Sequence, residues 1–133
     1  MSEKKLTMVV PAYNEEEALP IFYAEALRVE KKLPGVEIEY LFIDDGSSDG
    51  TLEVLRDLHK KDARVRYVSF SRNFGKEAAI YAGLQNAAGD YVAILDADLQ
   101  DPPALLPKML QAIEEEGYDC VGSRRVTRKG EPP

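Results

Sequence analysis

One cysteine and one histidine are all that the 133 residues contain, and those scarcities remove whole classes of chemistry. A lone Cys120 permits no internal disulfide, and its place in the apolar run Tyr118 to Gly122 suits a small buried hydrophobe. A lone His59, set in Leu58-His59-Lys60-Lys61 at a predicted helix end, suits an exposed residue that favours the helix dipole. With no second histidine and no paired nucleophile, a catalytic triad and a zinc site both lack their parts. No apolar run approaches the ~18 residues that a membrane helix needs. The start, Met1-Ser2-Glu3-Lys4-Lys5, lacks the hydrophobic core of a signal peptide, so the expected location is cytoplasmic. No phosphate-loop pattern occurs, and Gly46-Ser47-Ser48-Asp49-Gly50 is not a dinucleotide fingerprint, so NAD and ATP-hydrolysis readings lose support. There is no internal repeat and no low-complexity block. A net charge of −7 argues against a nucleic-acid partner, although it leaves room for a local basic patch.

What is there is an ordinary globular composition, 44% hydrophobic and 31% charged, in a length that fits one domain. Buried strands are expected at Leu6 to Val10, ended by Pro11, at about Val36 to Ile43, at Val65 to Phe70, from Tyr91, and at Tyr118 to Gly122. Asn14 and Glu17 have the spacing of a capping box, but Pro20 falls too far in for one uninterrupted helix. A turn is therefore expected at Glu15–Ala18 and a helix from about Pro20 to Leu33, with Pro34-Gly35 as its stop. Further helices are expected over Thr51 to Lys61, with Leu52, Leu55 and Leu58 along one side, over Lys76 to Ala88, rich in small residues, and over Ala104 to Glu116. Strands alternating with helices imply α/β architecture with a doubly wound, mostly parallel sheet flanked by helices. The domain is expected to span 1–122, leaving 123–133 as a basic, irregular tail at an apparent truncation.

In such sheets ligands sit beyond the carboxyl ends of the strands, where strand order reverses. Each of the first four expected strands ends in polar residues: Pro11-Ala12-Tyr13-Asn14-Glu15, Asp44-Asp45, Ser71-Arg72-Asn73 and Asp96-Ala97-Asp98. In extended chain Asp96 and Asp98 project to one side, and paired carboxylates repel unless a cation or a hydroxyl-rich ligand lies between them. Hard oxygen ligands favour Mg²⁺ or Mn²⁺. Alternatively the pair caps the helix that Pro102-Pro103 begins. Tyr13 offers a flat face for a base, or is a rim residue. Asp44 accepts from a base imide, or caps the next helix. Arg72, Lys76 and Arg124 suit phosphate, while Lys76 equally suits an exposed charge near a helix start.

The stretches Val9-Val10-Pro11-Ala12-Tyr13-Asn14-Glu15-Glu16, Ile43-Asp44-Asp45-Gly46-Ser47, Arg72-Asn73-Phe74-Gly75-Lys76 and Asp96-Ala97-Asp98-Leu99-Gln100-Asp101-Pro102-Pro103 together resemble glycosyltransferase family 2. The likeness is strongest to the polyprenyl-phosphate branch. It implies a GT-A fold that binds a nucleotide-diphospho-sugar. It also implies inverting transfer of a hexose, with UDP as the expected nucleotide, to a polyprenyl phosphate by the full-length protein, associated with the cytoplasmic face of a membrane. The implied nucleotide site comprises Pro11, Ala12, Tyr13, Glu15, Asp44, Arg72, Lys76, Asp96, Ala97 and Arg124. The implied metal site comprises Asp98, Gln100 and Asp96, holding Mg²⁺ or Mn²⁺. Members of the family run on past this chain, so the catalytic base is expected outside it, and a homodimer is one remedy for the open sheet edge. Two other readings are a non-catalytic nucleotide-sugar-binding or interaction module and a phosphoacceptor signalling domain. The latter would need a lysine after the fifth strand, where Gly122-Ser123-Arg124 stands.

Overall fold

The computed structural model describes residues 4–33, 35–97, 120–122 and 126–127. Its elements run β1 (Lys4–Ala12), α1 (Ala18–Glu30), β2 (Val36–Asp44), α2 (Thr51–Lys61), β3 (Val65–Ser69), α3 (Lys76–Asn86), β4 (Tyr91–Ile94), β5 (Cys120–Gly122) and β6 (Val126–Thr127). The strands form one sheet in the order β3-β2-β1-β4-β5-β6. All neighbours are parallel except β5 and β6. The chain winds outward from β1 through β2 to β3, then returns across the sheet to β4. The reversal of direction falls between β1 and β4, which is where an open α/β sheet leaves a crevice at its carboxyl edge.

Alternation along the central strands feeds two cores. Leu6, Met8, Val10 and Ala12 of β1 and Ile38, Tyr40 and Phe42 of β2 join Leu19, Phe22, Ala26 and Val29 of α1 and Leu55 and Leu58 of α2. Val9, Leu41 and Ile43 point the other way and meet Ala79 of α3. Each fully buried Leu, Ile or Phe side chain contributes roughly 1.5–3 kcal/mol, so the larger core dominates stability. The small residues of α3 have the close-packing use their sizes suggest. A Cβ on Gly83 would stand 2.3 Å from Val9 Cγ1.

The boundaries depart from the sequence reading in several places. Pro11 lies inside β1, opposite Ile43, instead of ending the strand. The Val9 carbonyl accepts from Leu95 on the β4 side, and the Ala12 carbonyl accepts from Asp45 on the β2 side. Alternate residues thus serve alternate neighbours. Pro11, with no N–H to offer, belongs to the β4-facing set beyond the last β1–β4 pair, Val9 and Ile94. Helix α1 starts at Ala18 and runs through Pro20, because first-turn N–H groups have no intrahelical acceptor and a proline there costs no bond. Its last residue is Glu30, short of Leu33. No capping box forms: Glu17 at the N-cap makes no side-chain cap bond, and Asn14 turns elsewhere. Helix α3 ends at Asn86, whose Nδ2 donates to the Ala82 carbonyl at 2.8 Å. The stretch read as an irregular tail contributes β6, paired antiparallel to β5. Two residues are too short for any periodicity to register.

No helix among the described residues is long and apolar enough to cross a membrane. The expected helix over Ala104 to Glu116 lies outside the described residues.

Candidate functional site

At the carboxyl edge the loops after β1, β2 and β3 are tied to one another by side chains, and the chain after β4 joins them. After β1 the chain turns at Asn14, which has φ 54°, a conformation that Asn tolerates better than most residues. The Asn14 N–H donates to Ser47 Oγ at 2.9 Å, and its Oδ1 accepts from the Ser48 N–H at 2.8 Å and the Asp49 N–H at 3.3 Å. The Glu15 N–H donates to Thr51 Oγ1 at 2.9 Å. The loops after β1 and β2 are therefore one unit. Asp49 accepts from the Thr51 N–H at 2.9 Å and from its hydroxyl, so Asp49, not Asp44, serves the start of α2. Burial works to raise the Asp49 pKa, but hydrogen bonds from Thr51 and from the Glu16 N–H outweigh it and hold the carboxyl below its usual range.

The two adjacent aspartates at the end of β2 have separate duties. Asp44, 2% exposed, accepts from the Ser47 N–H at 3.0 Å and from Ser69 Oγ at 3.2 Å, closing a turn of its own chain and reaching β3. Asp45, 4% exposed, accepts from the Phe74 N–H at 2.8 Å, the Gly75 N–H at 3.1 Å and Asn73 Nδ2 at 3.1 Å. It thereby holds the loop that leads into α3. Gly46 permits the approach: its φ is +70°, and a Cβ there would lie 2.1 Å from the Arg72 carbonyl carbon.

That loop delivers two cations. Arg72 lays its guanidinium over the Phe74 ring, 4.7 Å from the centroid, and Phe74 meets Phe70 edge to face. Lys76, the first residue of α3, places Nζ 2.7 Å from Asp96 Oδ1, two residues beyond β4. The parity that sends Val92 and Ile94 to the α3 side also sends Asp96 there, so the pair follows from the pleat.

Of the residues expected at the site, Pro11 and Glu15 are half-buried, Ala12 and Ala97 are buried, and Tyr13 is 47% exposed at the rim. Asp44 lies beneath the surface with its partners satisfied, and Lys76 and Asp96 meet each other. Asp98, Gln100 and Arg124 lie outside the described residues. Among the described residues, no group of three or more His, Cys, Asp or Glu could hold a metal ion. Asp96 is the one expected ligand that is described. Its chemistry fits a hard cation, since its carboxylate is 17% exposed and already holds a positive charge. His59 is exposed at its helix end, and its Nδ1 lies 2.6 Å from the Val65 carbonyl, remote from this edge. A cleft of about 370 Å³ lined by Asn14, Glu15, Glu16, Glu17, Ala18 and Asp49 opens beside the β1 loop. Neither Lys76 nor Asp96 lines it.

In the sequence reading Asn14, Asp45 and Asn73 stood only within the polar clusters, Asn14 also as half of a capping box, and Asp49 within a glycine-flanked loop, yet all four hold the loops in place. The usable signal was Asp45-Gly46 after a buried strand. A glycine there allows close approach of another backbone, and the acid before it can gather that backbone's N–H groups.

Comparison with known proteins bears on the family and the fold. The family model for glycosyl transferase family 2 matches residues 7–133. The chain is similar to a prophage bactoprenol glucosyl transferase homolog of Escherichia coli strain K12, at 44% identity over 124 residues, covering 93% of this chain and 40% of that protein. In fold it is similar to the mannosyltransferase PcManGT from Pyrobaculum calidifontis in complex with GDP-Man and Mn²⁺, with TM-score 0.70 and 23% identity over 85% of this chain and 33% of the other. It is also similar to S. aureus TarS 1-349 in complex with UDP-GlcNAc, with TM-score 0.61 and 23% identity over 86% and 32% of the two chains. The fold expected from the motifs, GT-A, is the fold observed. The chain spans about 40% of the length of the curated relatives it matches.

Proposed function

The chain belongs to glycosyl transferase family 2, and from that premise we propose that it is the donor-binding portion of an inverting glycosyltransferase. It takes a nucleotide diphosphate sugar at the carboxyl edge of β1, β2 and β4. The observation that carries the reading is the convergence of four loops on that edge, two of them locked together through Asn14 and a third pinned by Asp45. Tyr13, exposed at the rim, stacks on the base. Asp44 retains acceptor capacity beyond its bonds to Ser47 and Ser69 for a base imide or the ribose side, while Pro11, Ala12, Glu15 and Ala97 shape the floor. Arg72, Lys76 and Arg124 supply positive charge to the diphosphate. Asp98, Gln100 and Asp96 would hold Mg²⁺ or Mn²⁺. When bound, the metal stabilises the charge that develops on the departing nucleoside diphosphate.

The donor is a UDP-hexose and the acceptor a polyprenyl phosphate. The named activity of the bactoprenol relative supports the acceptor, and the UDP-GlcNAc complex of a structural neighbour supports a uridine nucleotide. The GDP-Man complex of the other neighbour makes guanine the alternative base. The whole protein acts at the cytoplasmic face of a membrane. This stretch binds donor without transferring sugar, because in-line attack requires an acceptor held a little over ~3 Å from the anomeric carbon by a second wall. The residues here build the donor wall.

The test is calorimetric titration of UDP, GDP and a panel of nucleotide sugars with and without Mn²⁺. UDP and UDP-hexose should bind, and only with the metal. Tighter binding of GDP than UDP would reverse the base assignment, and absence of any nucleotide binding would overturn the reading.

A further inference from the structure

Lys76 stands where a helix least favours a lysine. The first turn of α3 carries the positive end of the helix dipole, and a cation there is disfavoured. The backbone before it is fixed by hydrogen bonds. The Phe74 and Gly75 N–H groups are held by the buried carboxylate of Asp45 at 2.8 and 3.1 Å, and Gly75 enters the helix at φ 103°. The one soft part is the side chain, 57% exposed, which reaches to 2.7 Å from Asp96 Oδ1. Asp96 is in the opposite condition. It is 17% exposed, so its carboxylate is only partly solvated and gains from a nearby positive charge.

We propose that Lys76 is an exchangeable counter-ion. Its ammonium occupies Asp96 until a divalent cation takes that oxygen, and it is then released toward the phosphates that arrive with the cation. The exchange leaves Asp96 with a cation beside it in both states. The chemistry of the two cations at this edge fits the division. Arg72 is anchored on Phe74, 4.7 Å from the ring centroid, whereas Lys76 is a compact point charge on a flexible stem and can move between two anionic partners. A divalent cation wins the oxygen by charge and by its preference for hard ligands. The proposal rests on the nucleotide-binding reading above and adds that metal and lysine compete.

Competition predicts effects of opposite sign from one substitution. Mn²⁺ binding is measured alone, by the loss of the free-ion electron paramagnetic resonance signal, on wild type, Lys76→Met and Lys76→Arg. UDP binding in saturating Mn²⁺ is then measured by calorimetry. Lys76→Met should bind Mn²⁺ alone about fivefold more tightly, the scale of one partly exposed ion pair removed as competitor, and should bind UDP more weakly. Lys76→Arg, which keeps the charge, should return both affinities toward wild type. Lys76 is exposed, so an unchanged circular dichroism spectrum and melting temperature accompany the expected result. If wild type binds UDP with Mn²⁺ while Lys76→Met binds Mn²⁺ alone no more tightly, the exchange is wrong and the nucleotide site stands. Lys76→Arg behaving like Lys76→Met would also overturn it, because the effect would then not follow charge. If wild type binds neither Mn²⁺ nor UDP, the functional reading fails and the exchange goes with it.

Discussion

The two ends of the sheet treat acid side chains in opposite ways. At the amino end, acids meet cations. Glu39, 5% exposed in the middle of β2, is bonded by Arg66 and lies 3.5 Å from Lys5 Nζ. Arg64 bridges Asp62 at 3.0 Å and also pairs with Glu30. Tyr23 and Tyr40 donate their hydroxyls to Asp62 and Glu30, each at 2.7 Å. At the carboxyl end, Asp44, Asp45 and Asp49 are held by backbone N–H groups, hydroxyls and an amide, with no ion pair to any of them among the described residues. Lys76 forms an ion pair there with Asp96. Neutral donors fix the position of a carboxylate without cancelling its charge. One end is therefore closed electrostatically and serves stability, while the other keeps a negative field available to a cation.

The sharpest way to break this comparison is to remove one buried acid from each end. Asp45→Ala strips the acceptor from the Phe74 and Gly75 N–H groups and from Asn73, and should cost about 3 kcal/mol. Glu39→Ala leaves Arg66 and Lys5, 45% and 37% exposed, free to rehydrate, and should cost about 1 kcal/mol. Urea unfolding of both variants measures the difference, and the reverse ranking would mean that the amide-held acid is not the structural one. Next in size, Gly46→Ala should cost about 2 kcal/mol, from a positive φ and from contact with the Arg72 backbone. It should also weaken UDP binding, whereas a change at the amino end should not.

How much of this contrast was legible in the sequence differs by end. The site edge was legible because four apolar runs stop at polar clusters, and a parallel sheet gathers those stops on one side. The sheet's reversal between β1 and β4 was not written in any single residue. The roles of Asp44 and Asp45 were also opaque, because adjacent acids at a strand end look alike until the pleat turns them to different partners. Pro11 read as a terminator because the pairing that makes it harmless belongs to β4, some eighty residues later. Residues of the amino-end network, such as Glu39 and Arg66, drew no reading from the sequence, since their pairing depends on strand register.

Acid sharpens the comparison with a smaller effect. A hydrogen bond from Arg64, aided by one from Tyr23, overcomes burial and holds the Asp62 carboxyl down at about 2. A group depressed on folding stabilises above its unfolded pKa of about 4, and loses that contribution as pH falls through its folded value. Arg64 is 37% exposed, so screening limits the gain to about 1 kcal/mol. Stability followed from pH 5 to pH 2 should fall less in Asp62→Asn than in wild type, and an equal fall would remove Asp62 from the account. Burial, the Asp62 hydrogen bond and its charge push Tyr23 up to about 12, so this network should not ionise through Tyr23 below about pH 11. Smallest of all, Tyr13→Ala should change stability by less than about 0.5 kcal/mol, because the ring is 47% exposed, while weakening UDP binding measurably. Unchanged UDP affinity would dismiss Tyr13 as the stacking surface.

The central claim is that the carboxyl end, not the ion-paired end, receives the ligand. It is tested most directly by mapping amide chemical shifts of the ¹⁵N-labelled chain on addition of UDP with Mg²⁺. The account predicts changes concentrated at residues 11–16, 44–49, 72–76 and 95–97, with Lys5, Glu39, Asp62, Arg64 and Arg66 left in place. Changes centred on those five residues, or none at all at saturating UDP and Mg²⁺, would contradict it.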